Sequence, residues 1–273
     1  MTDLVRRIGP TSRVRVVESS PDDVEREDQV VAEEPLEIRL AWPEAEPQRA
    51  WVTMRTPGND FELAAGWAFH EGLVGVDSLA EVAYCTDEDL TPEQEFNVVT
   101  LRSLAPVDLG HRHDAMSAGS SACGVCGKDS IEAALSTVRG VRWGGPQPRS
   151  DVVRRLPGQL REEQSVFART GGVHAAGLFT ADGERHVVRE DVGRHNAVDK
   201  VTGARLLAGE PVADAYLVVS GRAGFELVQK AVAAGVGSLV AVGAPSSLAV
   251  HLAREAGLGL FGFTRSERTV RYA

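Results

Sequence analysis

Two patterns of apolar residues divide the chain near its middle. In the first hundred residues, short apolar runs alternate with charged positions, which predicts strands at residues 13–17, 29–32, 36–40, 50–54, 80–84 and 96–101. A helix is predicted after residue 56, with Asp60 as its capping residue and an end near Gly72. The apolar positions of this helix are Phe61, Leu63, Ala64, Trp67 and Ala68. The first half is therefore predicted to be an α+β unit.

Near-continuous apolar runs alternate with helical patterns in the second half. Strands are predicted at residues 185–189, 215–219, 238–242 and 258–263, with helices between them. Runs that are apolar throughout indicate strands buried on both faces, which is typical of a parallel sheet covered by helices. Residues 105–116 are interpreted as a linker. We therefore predict an N-terminal α+β domain at residues 1–115, with a flexible arm, and an α/β domain at residues 116–273.

Each of the last three predicted strands is followed by a loop rich in Gly, Ser or Arg. The loops are Ser220-Gly221-Arg222-Ala223-Gly224, Gly243-Ala244-Pro245-Ser246-Ser247 and Thr264-Arg265-Ser266-Glu267-Arg268. In parallel sheets, ligands bind beyond the carboxyl ends of the strands, and such loops suit phosphate groups. Glycine also serves ordinary turns between strands and helices, so both interpretations stay open.

A further polar loop, Glu190-Asp191-Val192-Gly193-Arg194-His195-Asn196, precedes a predicted helix with Val198, Val201 and Leu206. It is either part of a functional site or a solvated turn in which Asn196 caps the helix. His174 is either a core histidine or a site residue. The roles of this loop and of His174 stay open.

The strongest chemical signal is a glycine-flanked cysteine loop, Cys123-Gly124-Val125-Cys126-Gly127. A helix is predicted directly after it, capped by Asp129 or Ser130. The N-terminus of a helix and the nearby charge of Lys128 both favour the thiolate form of cysteine. The loop is therefore suited to presenting reactive sulfur.

Other interpretations of the cysteine pair are less well supported. A closed zinc site needs four ligands, and only Cys85 remains elsewhere in the chain, so we expect no structural metal. A static disulfide does not suit a chain with three cysteines and no secretory segment. A thioredoxin-like redox pair usually follows the first strand of a small domain, whereas this pair comes after more than a hundred residues.

Composition excludes several classes of protein. The chain is 43% hydrophobic and 25% charged, as expected for a globular protein. Its net charge of −10 argues against general nucleic-acid binding, which needs a basic face. No apolar run is long enough to cross a bilayer, so we expect no membrane partner and a cytoplasmic location.

These motifs resemble those of the FdhD family, the formate dehydrogenase accessory sulfurtransferases. The resemblance covers the cysteine loop and, in the same order along the chain, four other segments. They are residues 56–72, Thr170-Gly171-Gly172-Val173-His174, residues 190–200, and Ser220-Gly221-Arg222.

The resemblance implies a cytidine-deaminase-like three-layer α/β domain behind a smaller N-terminal α+β domain, in a cytoplasmic homodimer. It implies a sulfur carrier that accepts persulfide sulfur from a cysteine desulfurase and passes it to bis-molybdopterin guanine dinucleotide, as formate dehydrogenase activity requires. Cys123 would carry the persulfide and Cys126 would assist it. The cofactor-binding residues implied are Phe263, Thr264, Arg265, Ser266, Glu267 and Arg268.

Two other functions are considered beside sulfur transfer. A chaperone could bind the cofactor without moving sulfur. A zinc nucleobase deaminase would need an H-x-E motif upstream of P-C-x-x-C. Here His174 lies downstream of the cysteine pair, Ala175 and Ala176 follow it, and no proline precedes Cys123.

Overall fold

A computed structural model describes residues 8–86, 90–91, 94–109 and 142–273. The described strands are β1 (Thr11–Ser19), β2 (Asp23–Val31), β3 (Glu34–Trp42), β4 (Ala45–Arg55), β5 (Leu79–Tyr84), β6 (Val98–Ser103), β7 (His174–Phe179), β8 (Arg185–Asp191), β9 (Tyr216–Val219), β10 (Ser238–Ala241), β11 (Gly259–Arg265) and β12 (Arg268–Arg271). The described helices are α1 (Asp60–His70), α2 (Ser150–Glu162), α3 (Ser165–Thr170), α4 (Arg194–Leu207), α5 (Phe225–Ala233) and α6 (Ser247–Ala256). The strands form a two-stranded ribbon, a four-stranded sheet and a six-stranded sheet.

The four-stranded sheet has the order β4-β3-β6-β5 and contains four of the six strands predicted in the first half. The strands predicted at residues 13–17 and 29–32 belong to the ribbon of β1 and β2. Helix α1 follows β4, and Asn59, not the predicted Asp60, is its N-cap. Asp60 is instead buried in the first turn, where Arg55 Nε donates to its Oδ1 at 2.9 Å. Tyr84 donates to the other oxygen of Asp60 at 2.8 Å. Asp60 therefore joins the helix to β4 and β5, the two edge strands of the sheet.

The six-stranded sheet has the order β12-β11-β10-β9-β7-β8. Strands β9, β10 and β11 are parallel, as predicted. The sheet is nevertheless mixed, because β7 pairs antiparallel with both β8 and β9, and β12 pairs antiparallel with β11. The sheet is thus larger than the predicted parallel unit, since β7 and β12 were not recognised as strands.

Alternate residues of this sheet face two separate apolar layers. Leu217, Leu239 and Leu260 pack in the larger core, with α4, α5 and α6. Tyr216 and Val240 pack in a smaller core, under the buried face of α2. Because the side chains of a strand alternate between faces, the near-continuous apolar runs are explained by helices on both sides.

Two helices join the halves of the chain. Helix α1 packs against α4, and α4 also packs against strands β7 and β8. Gly66 and Gly203 meet where α1 and α4 cross: a Cβ atom on Gly203 would lie 2.8 Å from the main-chain nitrogen of Gly66, and closer still to Glu62 O. A Cβ atom on Gly66 would likewise overlap Asp199 O. The contact between the helices is thus main chain against main chain.

The division into domains at residues 1–115 and 116–273 stays a prediction, because its boundary lies outside the described residues. The larger core contains residues from both halves, among them Leu63 of α1 and Val201 of α4. The four-stranded sheet and the six-stranded sheet are therefore connected through one apolar layer.

We predict that Gly66→Ala and Gly203→Ala each destabilise the protein by about 3 kcal/mol or more, because the added methyl group meets main-chain atoms that cannot rotate away. Gly158→Ala is the matched control, since Gly158 lies in α2 with open space around its Cα. Replacing this helical glycine with alanine should raise the free energy of unfolding of the protein by about 0.5–1 kcal/mol. Urea unfolding of the three variants measures the difference. Equal changes in the free energy of unfolding for Gly66→Ala and Gly158→Ala would contradict the close contact between α1 and α4.

Candidate functional site

The carboxyl ends of β8, β9, β10 and β11 lie at the same edge of the six-stranded sheet, together with the amino end of β7. We call this the carboxyl edge. The loops that follow these strands are hydrogen-bonded to one another. Gly243 N donates to Gly221 O at 2.9 Å, and Phe263 N donates to Gly243 O at 3.0 Å. The predicted meeting of the glycine-rich loops is confirmed.

The segment predicted to bind cofactor lies at this edge but is a hairpin instead of an open loop. Strand β11 continues to Arg265 and turns directly into β12. The register shifts between Gly262 and Arg265, where Phe263 has a φ of 49° and is 41% exposed. This bulge lets the strand bend and continue beyond the predicted end at residue 263.

The six residues of that segment differ in exposure. Thr264 is fully buried, and its Oγ1 lies 2.9 Å from Thr269 Oγ1, so it supports the hairpin. The exposed residues are Phe263, Arg265, Ser266, Glu267 and Arg268. The guanidinium of Arg268 lies 5.9 Å from the centre of the Phe263 ring. The exposed arginines and Ser266 are thus available to a ligand.

The polar loop before α4 is mainly a structural clamp. Asp191 is fully buried, and its carboxylate accepts from Thr56 N at 3.2 Å and from Gly193 N at 2.8 Å. Lys200 Nζ lies 2.7 Å from Asp191 Oδ2 and also donates to Thr56 O at 2.9 Å. Burial raises the pKa of Asp191, and the charge of Lys200 opposes that rise. These contacts hold the end of β4 against the loop between β8 and α4.

Asn196 has a different role from the capping role considered for it. Gly193 is the N-cap of α4, and Asn196 lies within the first turn. Its side-chain amide donates to Met54 O at 2.9 Å and to Asp191 Oδ1 at 3.0 Å. Asn196 is therefore buried in the clamp, where two protein oxygens take the place of water as acceptors for its side-chain amide.

His174 is half-buried at the start of β7, beside Gly221. A Cβ atom on Gly221 would lie 3.5 Å from His174 Nδ1. Burial lowers the pKa of His174 from its ordinary value, and the charges of Arg194 and His195 act in the same direction, against Asp191. The ring is therefore favoured in its neutral form, able both to donate and to accept a hydrogen bond.

His195 and Glu226 join the first turns of α4 and α5. His195 Nε2 lies 2.6 Å from Glu226 Oε2. The hydrogen bond from His195 lowers the pKa of Glu226, against the effect of burial. The two helix N-termini at the carboxyl edge are thus tied to each other by side chains.

Four arginines at the carboxyl edge are exposed: Arg194, Arg222, Arg265 and Arg268. Within the part of the chain that the structure describes, no carboxylate forms an ion pair with any of them. The carboxyl edge therefore carries a cluster of positive charges, although the chain as a whole has a net charge of −10. Arginine guanidinium groups bind phosphate and carboxylate groups through paired donors, so the edge suits an anionic ligand.

The predicted carrier residues Cys123 and Cys126 lie outside the described residues. Cys85 is the only described cysteine; it is partly buried, and its Sγ lies 3.6 Å from Arg39 Nη1. Among residues 8–86, 90–91, 94–109 and 142–273, no group of three or more His, Cys, Asp or Glu side chains could hold a metal ion. Over the same residues, no helix has the length and apolar character needed to span a membrane.

A buried network that the sequence did not indicate lies behind the site. His70 Nδ1 and Lys230 Nζ lie 2.6 Å and 2.7 Å from Asp199 Oδ1. Burial alone would raise the pKa of Asp199, but Lys230 and His70 together lower it. Burial lowers the pKa of His70. Three helices, α1, α4 and α5, are thus joined by one carboxylate. His70 and Asp199 lie in segments that carry the family resemblance, but the sequence does not indicate that they contact each other.

The comparisons with known proteins agree with this architecture. Residues 31–273 match the profile of the FdhD/NarQ family. A protein named sulfur carrier protein FdhD from Nocardia farcinica is 46% identical over 94% of this chain and 91% of its own length. Another of that name from Streptomyces avermitilis is 48% identical over 91% of this chain and 88% of its own.

A solved structure has the same fold. It is described as a putative formate dehydrogenase accessory protein from Desulfotalea psychrophila, with a TM-score of 0.72, 22% identity and 96% of each chain covered. The fold and site thus define a mixed α/β protein with exposed arginines at the carboxyl edge of its larger sheet. The chain belongs to the FdhD/NarQ family.

We predict that Lys200→Met destabilises the protein by about 3–5 kcal/mol, because it leaves the buried Asp191 carboxylate without its cation. Asp191→Asn combined with Lys200→Met should recover part of this loss, since the amide keeps an acceptor and removes the charge. Denaturant unfolding at pH 7 measures both. A single variant as stable as the wild type would show that Lys200 does not compensate Asp191.

Proposed function

We propose that the chain is a sulfur carrier for the maturation of formate dehydrogenase, acting in the cytoplasm as a sulfurtransferase. The observation that carries this proposal is the 46% identity to a protein named sulfur carrier over more than nine-tenths of both chains. The cysteine loop of residues 123–127 supplies the chemical group that such a role requires.

In the first step, the thiolate of Cys123 attacks the terminal sulfur of a persulfide on a cysteine desulfurase. A sulfur–sulfur bond forms on Cys123, the donor's own sulfur–sulfur bond breaks, and the donor cysteine leaves as a thiolate. Cys126 assists as the second thiol of the loop. The helix that the sequence predicts after the loop and the charge of Lys128 would favour the thiolate that this attack needs.

In the second step, the outer sulfur of the Cys123 persulfide passes as sulfide to the molybdenum of bis-molybdopterin guanine dinucleotide, which is the cargo of the protein and not a resident cofactor. The sulfur–sulfur bond of the persulfide breaks as the Cys126 thiolate attacks the sulfur of Cys123, and the Cys123–Cys126 disulfide that forms supplies the two electrons.

We place this substrate at the segment from Phe263 to Arg268. The guanosine diphosphate parts of the substrate carry charges that the exposed Arg265 and Arg268 can pair with. Arg194 and Arg222 at the same edge add to this charge, so the residues present fit an anionic dinucleotide.

The proposal includes two structural features. The second half adopts a cytidine-deaminase-like arrangement, supported by helices on both faces of the six-stranded sheet. The smaller unit of residues 1–115 precedes the larger one of residues 116–273. The protein acts as a homodimer and contacts the catalytic subunit of formate dehydrogenase, to which it delivers the sulfurated cofactor.

We predict that incubation with a cysteine desulfurase and cysteine adds about 32 Da to the peptide containing Cys123. Cys123→Ala should lose this increment and the activity of the client formate dehydrogenase, while its unfolding midpoint stays close to that of the wild type. Cys85→Ala is the matched control and should keep both. Mass spectrometry and a client assay measure these outcomes.

Three results would contradict that assignment. Wild-type client activity in the Cys123→Ala strain would remove the carrier role from this residue. GDP binding without any sulfur increment would favour a cofactor chaperone. One zinc ion per chain that is lost in Cys126→Ser would favour a zinc site.

We predict that Arg265→Ala and Arg268→Ala each weaken the binding of GDP by about tenfold or more, because a charge-assisted hydrogen bond contributes about 1.5–3 kcal/mol. Arg155→Ala is the control, since Arg155 is an exposed arginine on α2 and belongs to none of the loops of the carboxyl edge. Titration calorimetry at constant ionic strength measures the affinities. Unchanged binding in both edge variants would move the substrate away from the hairpin.

A further inference from the structure

His174 differs from the other histidines that the structure describes. His70, His186 and His195 each lie within 3.2 Å of a carboxylate oxygen, and His251 is exposed on α6. His174 is partly buried, yet no described residue forms a hydrogen bond with either nitrogen of its ring. A partly buried polar group without a protein partner contributes little to stability, so its place in the fold needs another explanation.

The main chain beside His174 is held by two hydrogen bonds at the end of β9. Ala175 N donates to Ser220 Oγ at 2.9 Å, and Ser220 N donates to Ala175 O at 3.0 Å. The ring lies beside Gly221, where a Cβ atom would be 3.5 Å from Nδ1 and 3.7 Å from Cε1. The φ of Gly221 is not positive, so its backbone does not require glycine. Glycine at this position instead keeps residue 221 from covering the Nδ1 side of the ring.

Charged groups of β8 and α4 lie close to the ring. Asp191 is the register partner of His174 on β8, and Arg194 and His195 belong to the first turn of α4. Burial lowers the pKa of His174, Arg194 and His195 lower it further, and Asp191 opposes them. The carboxylate of Asp191 is itself paired with Lys200 at 2.7 Å, so positive charge prevails around the ring.

The charged groups of α5 and of the loop before it leave this balance in place. Glu226 is bound to His195 at 2.6 Å, so its charge is already compensated. Arg222, in the loop after β9, adds a second exposed guanidinium to that of Arg194. The ring of His174 therefore lies among groups that favour an anion as its partner.

A row of main-chain hydrogen bonds connects the hairpin of residues 263–268 with the loop beside His174. Phe263 N donates to Gly243 O, and Gly243 N donates to Gly221 O. The ends of β11, β10, β9 and β7 thus lie side by side, about 4.8 Å from one strand to the next, so that roughly 14 Å separate the hairpin from His174. An extended pterin dinucleotide is long enough to contact both.

We propose that His174 binds a phosphate group of the guanine nucleotide beside Arg194, and that nucleotide binding is coupled to the uptake of one proton by the imidazole ring. The nucleotide extends along the row from the hairpin towards β7. A phosphate next to the ring offsets the charge of Arg194 and accepts a hydrogen bond from the imidazolium, so binding raises the pKa of His174. This inference rests on the proposed binding of the substrate at the carboxyl edge.

The coupling gives the pH dependence of binding a defined sign. In the free protein the pKa of His174 lies below its ordinary value, so the ring is neutral at pH 7. In the complex the pKa is higher, and between the two values the complex holds one more proton than the free protein. The affinity for the nucleotide therefore rises as the pH falls through this interval, and at alkaline pH the proton no longer contributes.

NMR titration of the imidazole signals tests the coupling directly, with His174→Gln used to assign the signal of His174. Saturating GDP should raise the pKa of His174 from below the ordinary value of histidine to above it. Arg194→Gln should raise the pKa of His174 in the free protein, because it removes a charge that lowers it. A pKa of His174 that saturating GDP leaves unchanged would overturn the proposal.

Calorimetric titration with GDP at pH 6 and at pH 8 is the second measurement. His174→Gln should weaken binding roughly fivefold at pH 6 and bind close to the wild type at pH 8, because an amide can donate a hydrogen bond but cannot take up the proton. The terminal phosphate of GDP itself titrates at about pH 6, so the variant is compared with the wild type at each pH. His251→Gln is the matched control, since His251 is exposed on α6, and it should bind GDP as the wild type does.

This inference and the proposed function can fail separately. If Arg265→Ala and Arg268→Ala weaken GDP binding while His174→Gln binds normally at both pH values, the substrate stays at the carboxyl edge and the role of His174 is overturned. If only His174→Gln weakens binding, and only at pH 6, the role of His174 stands and the placement at the hairpin fails. Equal weakening by His174→Gln at both pH values would overturn the proposal, because a merely structural role does not involve the proton.

Discussion

The buried carboxylate of Asp191 is the contact on which the arrangement of the molecule depends. It belongs to the loop at the end of β8, yet it accepts from Thr56 N, at 3.2 Å, at the end of a strand of the other sheet. Lys200 is buried with it and donates to Thr56 O. A buried charge is tolerated only when its partners are in place, so neither half can shift without leaving that charge unpaired.

The glycine contact between α1 and α4 also keeps the two halves from shifting, but it does so by close packing of main chains instead of by a buried charge. Because Gly66 and Gly203 lack side chains, the helices approach until their main chains touch. This brings α1 close enough for His70 to reach Asp199 on α4. The clamp and the crossing together fix the loop that starts α4, which forms one side of the carboxyl edge. Arg194, which follows this loop, is thereby held on a rigid support while its exposed side chain stays available to a ligand.

Much of the second half could be predicted from the sequence, because buried parallel strands leave near-continuous apolar runs such as residues 215–219 and 238–242. Helix α2 was missed because Pro157 and Gly158 resemble a turn, although both lie within the helix, where Gly158 is exposed. Strand β7 was missed because it is rich in small residues. Gly177 has to be small, since a Cβ atom there would lie 2.7 Å from the Phe179 ring.

The site could be predicted in part. Loop composition located the carboxyl edge correctly, because glycine, serine and arginine after a strand are visible in the sequence. The partners of Asp191, Lys200 and Asn196 could not be found this way, since their contacts reach residues 54–56, more than 130 positions earlier. A polar side chain that binds a ligand and one that ties two sheets together look the same until the chain is folded.

Native-state hydrogen exchange tests most directly whether this clamp holds the site in place. The account predicts that the amide hydrogens of Thr56, Val192 and Gly193, which lie in loops but are bonded within the clamp, exchange as slowly as those of the central strands β9 and β10. Their exchange should then follow global unfolding when denaturant is added. Fast exchange of these three amides, independent of denaturant, would show that the loops open locally and that the clamp does not fix the carboxyl edge.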